Sequence, residues 1–332
     1  MTLPSERIAD HLAGRPVLVV GRAGMDIYPV PDGTRIEDAA ELVNDVGGSS
    51  GNIAVSIAKQ GHEVMLMSAV SNDGVGRFVT RSLSEYGVDT KHCFVTAGLE
   101  RTSLAMAETT TDAPDVTIYR NDAADLAITP AHAEAVDVAT LGAIIITGTA
   151  LSREPSRSAC ERLVELAGDA GCPVVLDLDY RAQAWDSVGE ARAVLSGLAR
   201  RVDMPVGNDE EFELIAGGNG RGFATELAAA GALVLYKMGE GGCDILEGGS
   251  ETHVGIFRVT ALKPFGSGDA FLGTSMATLA AGPGIMAAVT RGAAAAAIAV
   301  SRRGCARAMP TAAEIDAFID RTPMETDARE TD

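Results

Sequence analysis

Short β-branched runs alternate with longer stretches rich in Ala, Leu and Glu along most of the chain. The runs "PVLVVG" (16–21), "EVMLMSAV" (63–70), "GAIIITG" (142–148), "CPVVLDLD" (172–179), "RVDMPVG" (201–207) and "ALVLYKMG" (232–239) have the length of strands, and most lead through a loop into a helical stretch. This rhythm predicts successive βα units, hence an α/β fold whose mainly parallel central sheet is flanked by helices on both faces. The most apolar helical stretch, "GAAAAAIAV" (292–300), lies between Arg291 and Arg302. It is far shorter than the roughly 18 to 20 apolar residues that cross a bilayer, so it reads as a small-residue helix packed in the core.

Two segments break the rhythm, residues 26–46 and 100–122. The second alternates apolar and polar residues on either side of the turn-rich "TTDAPD", which predicts two strands. Neither segment contains a helix of crossover length, so both are expected to build a small β-sheet inserted into the α/β domain. The predicted layout is an N-terminal extension (1–14), one domain (15–320) and a disordered acidic tail (321–332).

Composition narrows the function. The 332 residues, 46% of them hydrophobic, suffice for a large core. A formal charge of −19 with four lysines (Lys59, Lys91, Lys237, Lys263) argues against a nucleic-acid surface, which needs a basic stripe. It still allows a nucleotide held by backbone N–H groups and a divalent ion. The start "MTLPSERIADHLAGRP" carries charges where a signal peptide has its apolar core, and the five cysteines are scattered with no C-x-x-C pair. A cytoplasmic protein with no membrane partner is expected.

The stretch "KPFGSGDAF" (263–271) carries the most chemistry. Gly266 and Gly268 let backbone N–H groups converge on one point, and the helix that follows adds its positive N-terminal end, so the loop suits an anion. Asp269 would stand beside that anion as a base. The same tetrapeptide also reads as a plain helix start in which Ser267 or Asp269 caps free N–H groups, so it needs partners elsewhere.

Four stretches supply them. "GGSSGNIAVSIAKQG" (47–61) opens another helix through glycines and puts Asn52, whose side chain can bond hydroxyls, at its start. "GNDEEF" (207–212) sets Asn208 and Glu211 three apart, suited to arranging water around Mg²⁺ or to an ordinary cap. "YKMGEGG" (236–242) is a tight hairpin or a nucleotide-facing loop. "LDLDYRAQAW" (176–185) places Asp177, Asp179 and Arg181 at the C-terminal end of a strand, where open α/β sheets bind ligands. The P-loop, an early dinucleotide fingerprint, the zincin helix and the nucleophile elbow are all missing from the sequence.

In this order the motifs resemble the PfkB, or ribokinase-like, carbohydrate kinase family. "GGSSGN" is similar to its N-terminal signature and "PFGSGDAF" to its C-terminal G-A-G-D signature, over roughly residues 15–320. Within the family, "GRAGMDIYP" (21–29), "SAVSNDGVGRF" (68–78), "YGVDT" (86–90), "RTSLA" (101–105) and "IYRNDAADLAIT" (118–129) are similar to a sugar-acid kinase of inositol breakdown.

The resemblance implies a ribokinase-like fold whose inserted sheet is a lid and the contact of a homodimer. It implies ATP and Mg²⁺, with a monovalent cation left open. Asp269 would be the general base, with the N–H groups of Gly266, Ser267 and Gly268 as an anion hole. Asn208 and Glu211 would organise Mg²⁺ at the nucleotide, while Lys237, Gly239 and Gly242 lie in the loop that would face ATP. Asp26, Gly48 and Asn52 match sugar-hydroxyl positions.

The implied acceptor is the terminal hydroxyl of a keto sugar acid, with 5-dehydro-2-deoxy-D-gluconate the best single candidate. Arg101, Arg120 and Arg181 are candidates for its carboxylate, Arg120 foremost because it lies inside "IYRND". Each has acids nearby that offer an alternative partner. The alternatives are a kinase of 2-keto-3-deoxygluconate, a neutral sugar or a nucleoside, and, from another class, a sugar-binding regulator without catalysis. Two positions depart from the pattern, Ser267 where the signature has alanine and Asp122 where the inositol-pathway kinases have glycine.

Overall fold

The computed structural model describes residues 2–326. Helix α1 (Pro4–Leu12) starts with proline in its first turn, where a missing N–H costs nothing, and buries Ile8 and Leu12 completely. Ser5 ties the helix to Glu247 through its hydroxyl (2.9 Å) and its backbone N–H (3.0 Å). The expected extension is thus packed into the body of the protein.

Strand β1 (Val17–Val20) shows why the apolar runs become central strands. Val17 and Val19 enter the core on one side of the sheet, and Leu18 and Val20 enter the core on the other. Then follow β2 (Gly24–Val30), β3 (Glu41–Gly47), α2 (Ser49–Lys59), β4 (Val64–Val70), α3 (Gly74–Glu85), β5 (Asp89–Val95) and the hairpin strands β6 (Leu104–Ala107) and β7 (Val116–Tyr119). The βα rhythm resumes with α4 (Pro130–Glu134), β8 (Ala143–Thr147), α5 (Ser156–Ala170), β9 (Val174–Asp177), α6 (Val188–Ala199) and β10 (Met204–Asn208). It continues through α7 (Asp209–Ala216), α8 (Gly220–Ala229), β11 (Val234–Lys237), β12 (Cys243–Glu247) and β13 (Ser250–Val254), and ends in α9 (Ser267–Ala280), α10 (Ile285–Val300) and α11 (Ala312–Ile319).

The large sheet has the order β13-β12-β11-β10-β9-β8-β1-β4-β5. It is parallel from β5 to β11, and only β12 and β13 run antiparallel. All six strands read from the sequence are present. β5, β12 and β13 were not among them, because their residues mix charge with apolar side chains. β1 lies between β4 and β8, so the order reverses there and opens a crevice beyond the strand ends.

The two irregular segments join in one small sheet, β3-β2-β6-β7. Register sorts its faces: Asp26, Tyr28, Asp45, Ala105 and Ala107 point inward and are buried, while Ile27, Leu42, Leu104, Met106 and Tyr119 point outward and are partly or wholly exposed. The small residues of α10 allow close packing on α9, since a Cβ on Gly292 would lie 2.2 Å from Ser275 Oγ and 2.8 Å from the Phe271 carbonyl. Among the described residues no helix is long and apolar enough to cross a membrane.

The tail departs from expectation over residues 321–326. Glu325 exchanges backbone hydrogen bonds with Ile256 (2.8 and 3.0 Å) and its carboxylate accepts from Arg258 at 2.5 Å, so an acidic residue has found both a strand partner and a cation. Residues 327–332 lie outside the described part.

Candidate active site

A cavity of about 940 Å³ opens at the reversal point, between the strand ends and the inner face of the small sheet. Arg22 after β1, Thr149 after β8 and Asp179 and Arg181 after β9 form its floor, with Ile118 and Arg120 on the lid side.

Helix α9 begins beside this floor. Gly266 is its N-cap, with φ +86° that suits glycine, and no side chain caps the first turn. The plain-cap alternative is therefore not what the fold uses. Asp269, in that first turn, instead accepts a hydrogen bond from Asn52 Nδ2 at 2.8 Å across the α2–α9 contact. Burial, and next the charge of Asp179, raise the Asp269 carboxyl to about 6, opposed by the Asn52 hydrogen bond, Arg181 and Lys237. A carboxylate so placed is a strong enough base to accept a proton and is still ionised at neutral pH.

Lys237 reaches the same loop from the end of β11. A Cβ on Gly268 would stand 3.5 Å from its Nζ, and the nearest carboxylate oxygen, on Asp177, is 3.9 Å away. Burial pushes Asp177 upward while Lys237 pulls it down. Gly239 and Gly242 form the turn of the β11–β12 hairpin, with the Met238 N–H donating to the Gly242 carbonyl at 2.8 Å. The tight-hairpin reading is realised, with Lys237 at its base.

Asn208 and Glu211 form a reciprocal capping box on α7: Asn208 Oδ1 accepts from the Glu211 N–H (2.7 Å) and Glu211 Oε2 from the Asn208 N–H (2.8 Å). Glu211 Oε1 accepts from the Tyr180 N–H at 3.0 Å. Each carboxylate oxygen keeps a second lone pair for a metal-bound water. No group of three or more His, Cys, Asp or Glu side chains forms a metal centre among the described residues.

Asp26, Gly48 and Asn52 meet where β2, α2 and the lid join. Asp26 Oδ2 accepts from the Tyr28 hydroxyl at 3.0 Å, whereas its buried Oδ1 has no hydrogen-bond partner, and burial raises its carboxyl. Asn52 Oδ1 is likewise buried and unpartnered. Gly48 has φ +91°, and a Cβ there would lie 2.6 Å from the Arg22 carbonyl.

The three candidate arginines differ in how far protein groups already engage them. Arg120 gives Nε and Nη2 to Asp125 and Nη2 also to the Thr149 carbonyl, so the foremost carboxylate candidate is engaged by a buried acid five residues on. Arg181 pairs with Asp179 at 2.9 Å. Arg101 does not line the cavity; it is 63% exposed and bonds the carbonyls of Leu99 and Glu100. Arg22, which was not singled out for the carboxylate, lines the cavity, is anchored by Nε to Ser103 Oγ at 3.0 Å and has no carboxylate nearer than Asp26 at 3.8 Å. Asp122, where the resembling pattern has glycine, takes φ +47°, which explains the glycine.

Residues 15–312 match the family described as pfkB family carbohydrate kinase. The chain belongs to that family. It is 37% identical over 311 residues to a 5-dehydro-2-deoxygluconokinase of Photobacterium profundum, covering 91% of this chain and 94% of the relative. It is 31% identical to the 5-dehydro-2-deoxygluconokinase of Bacillus subtilis, covering 92% and 95%. Among solved structures, the fold of this carbohydrate kinase matches a fructokinase of Xylella fastidiosa with bound ATP (TM-score 0.82, 23% identity, 92% of this chain and 98% of the other). It also matches a fructokinase double mutant of Vibrio cholerae with fructose, ADP and potassium bound (TM-score 0.82, 23% identity, 92% and 98%). The ribokinase-like fold is thereby established.

Proposed function

We propose that this kinase uses ATP to phosphorylate the terminal hydroxyl of 5-dehydro-2-deoxy-D-gluconate, giving the 6-phosphate. Family membership and relatives of that name over more than 90% of the chain support the reading. The observation that carries the chemistry is Asp269 beside a helix entrance that no side chain caps.

In this reading Asp269 accepts the proton of the acceptor hydroxyl, while the N–H groups of Gly266, Ser267 and Gly268 and the Lys237 ammonium meet the charge of the transferring phosphoryl group. Asn52 holds the base in place, and Asp26 Oδ1 and Asn52 Oδ1 offer unused acceptors to sugar hydroxyls. Gly239 and Gly242 flank the nucleotide. Asn208 and Glu211 would order water on a bound Mg²⁺, whose charge would help neutralise the phosphates. Arg22, the cavity arginine least compensated by protein carboxylates, is assigned the substrate carboxylate in place of Arg120.

The outward face of the small sheet, with Ile27, Leu42, Leu104, Met106 and Tyr119, is assigned to a homodimer contact that makes the sheet a lid over the cavity. Light scattering should show a dimer at micromolar concentration. The cytoplasm is the assigned location, in keeping with five free thiols.

The test is a panel of keto sugar acids, ribose, fructose and a nucleoside, read as ADP formation. Turnover should be highest with the sugar acid, and Arg22→Met should weaken it for acids far more than for neutral sugars. Faster turnover of any neutral acceptor overturns the substrate, and binding without turnover across the whole panel overturns the kinase.

A further inference from the structure

Lysine side chains are almost never fully buried unless paired, yet Lys263 is 0% exposed. No carboxylate lies within ion-pair distance of it among the described residues. Its Nζ donates to the Phe265 carbonyl at 2.5 Å, and a Cβ on Gly266 would lie only 3.2 Å from that Nζ. The titratable groups facing it are Cys305, Asp269 and Asp26, and burial lowers its own proton affinity. The fold therefore keeps an expensive cation directly under the loop that opens α9.

A trans peptide points its C=O and N–H in opposite directions. Anchoring the Phe265 carbonyl to the ammonium thus turns the Gly266 N–H away from Lys263, and it fixes the one peptide on which the left-handed Gly266 pivots.

We propose that Lys263 is a positioning residue for phosphoryl transfer, its ammonium orienting the Phe265–Gly266 peptide toward the transferring phosphoryl group and supplying a fixed positive charge behind the anion hole. The assignment rests on the kinase reading but not on the identity of the sugar, so it is tested on whichever acceptor wild type turns over best.

Lys263→Met keeps the length of the side chain and removes its charge. Turnover should fall about tenfold to a hundredfold, with KM for the sugar little changed. Thermal stability should hold or rise, because an uncompensated buried charge is gone. In Lys263→Ala, methylammonium chloride should restore turnover severalfold over equal sodium chloride, whereas the wild-type rate should be the same in potassium and sodium chloride.

Lys263→Met with wild-type turnover, a loss of turnover that tracks a loss of Tm, or the absence of methylammonium rescue each overturns the role. Wild type that phosphorylates nothing overturns the kinase reading, and this inference with it.

Discussion

At α7 and α9 the chain enters a helix from the ligand side of the same sheet, with an acid at the third helical position in each. At α7 the N-cap is Asn208, and it and Glu211 consume each other's N–H groups. At α9 the N-cap is Gly266, which has no side chain to accept a hydrogen bond, and Asp269 is turned to Asn52 instead of back to its own backbone. Replacing a capping side chain by glycine costs only a few tenths of a kcal/mol. The difference is therefore cheap in stability and large in chemistry: one entrance closes on itself, while the other keeps donors and a carboxylate for a ligand.

The sharpest way to break this contrast is Asp269→Asn. If Asp269 were a helix-start acid like Glu211, the amide would be tolerated; as a base it cannot be replaced, and turnover should fall about a hundredfold or more with Tm unchanged. Near-normal turnover would remove Asp269 from the chemistry.

The pH profile probes the same group in the native enzyme. Protonated Asp269 cannot accept the hydroxyl proton, so kcat/KM should be full above its raised pKa of about 6 and decline as pH falls through it. Lys237 and the Asn52 hydrogen bond both hold that value down. Lys237→Met should consequently move the acid limb to higher pH, beyond whatever it does to the plateau. An acid limb near the ordinary aspartate value of about 4 would contradict the burial that sets this base apart.

Sequence pattern made the two entrances look alike, and this locates what it can and cannot convey. The six central strands were legible because burial on both faces demands unbroken apolar runs. The anion-hole loop was legible because glycine spacing is local. The Asn52–Asp269 bond joins residues 217 apart, and no pattern in either stretch announces it. Lys263 was invisible because lysine is ordinarily a surface residue. The Arg120–Asp125 pair was not legible, because Asp125, in a 3₁₀ turn five residues on, gave no sign of folding back beneath Arg120.

A smaller effect separates the two uses of Asn208. Asn208→Ala removes a cap and should cost about 1 kcal/mol in urea unfolding. Asn208→Ser keeps a capping oxygen, so stability should be retained. If the amide also orders water on Mg²⁺, the serine variant should need more Mg²⁺ for half-maximal rate, whereas an unchanged Mg²⁺ dependence would leave α7 as a closed helix start and nothing else.

The smallest effect is expected at the signature's departure, Ser267. It is the first residue of α9, its hydroxyl makes no hydrogen bond within the described protein, and the family signature's alanine at this position supplies a backbone N–H alone. Ser267→Ala leaves that N–H in place, matches the family signature and slightly favours the helix. Turnover should stay within about twofold and Tm should be unchanged or slightly higher, since a backbone donor survives a side-chain exchange. A tenfold loss would mean that the hydroxyl itself meets the phosphate, and the contrast between α7 and α9 would then lie in which side chain faces the ligand, not in a helix start left open for it.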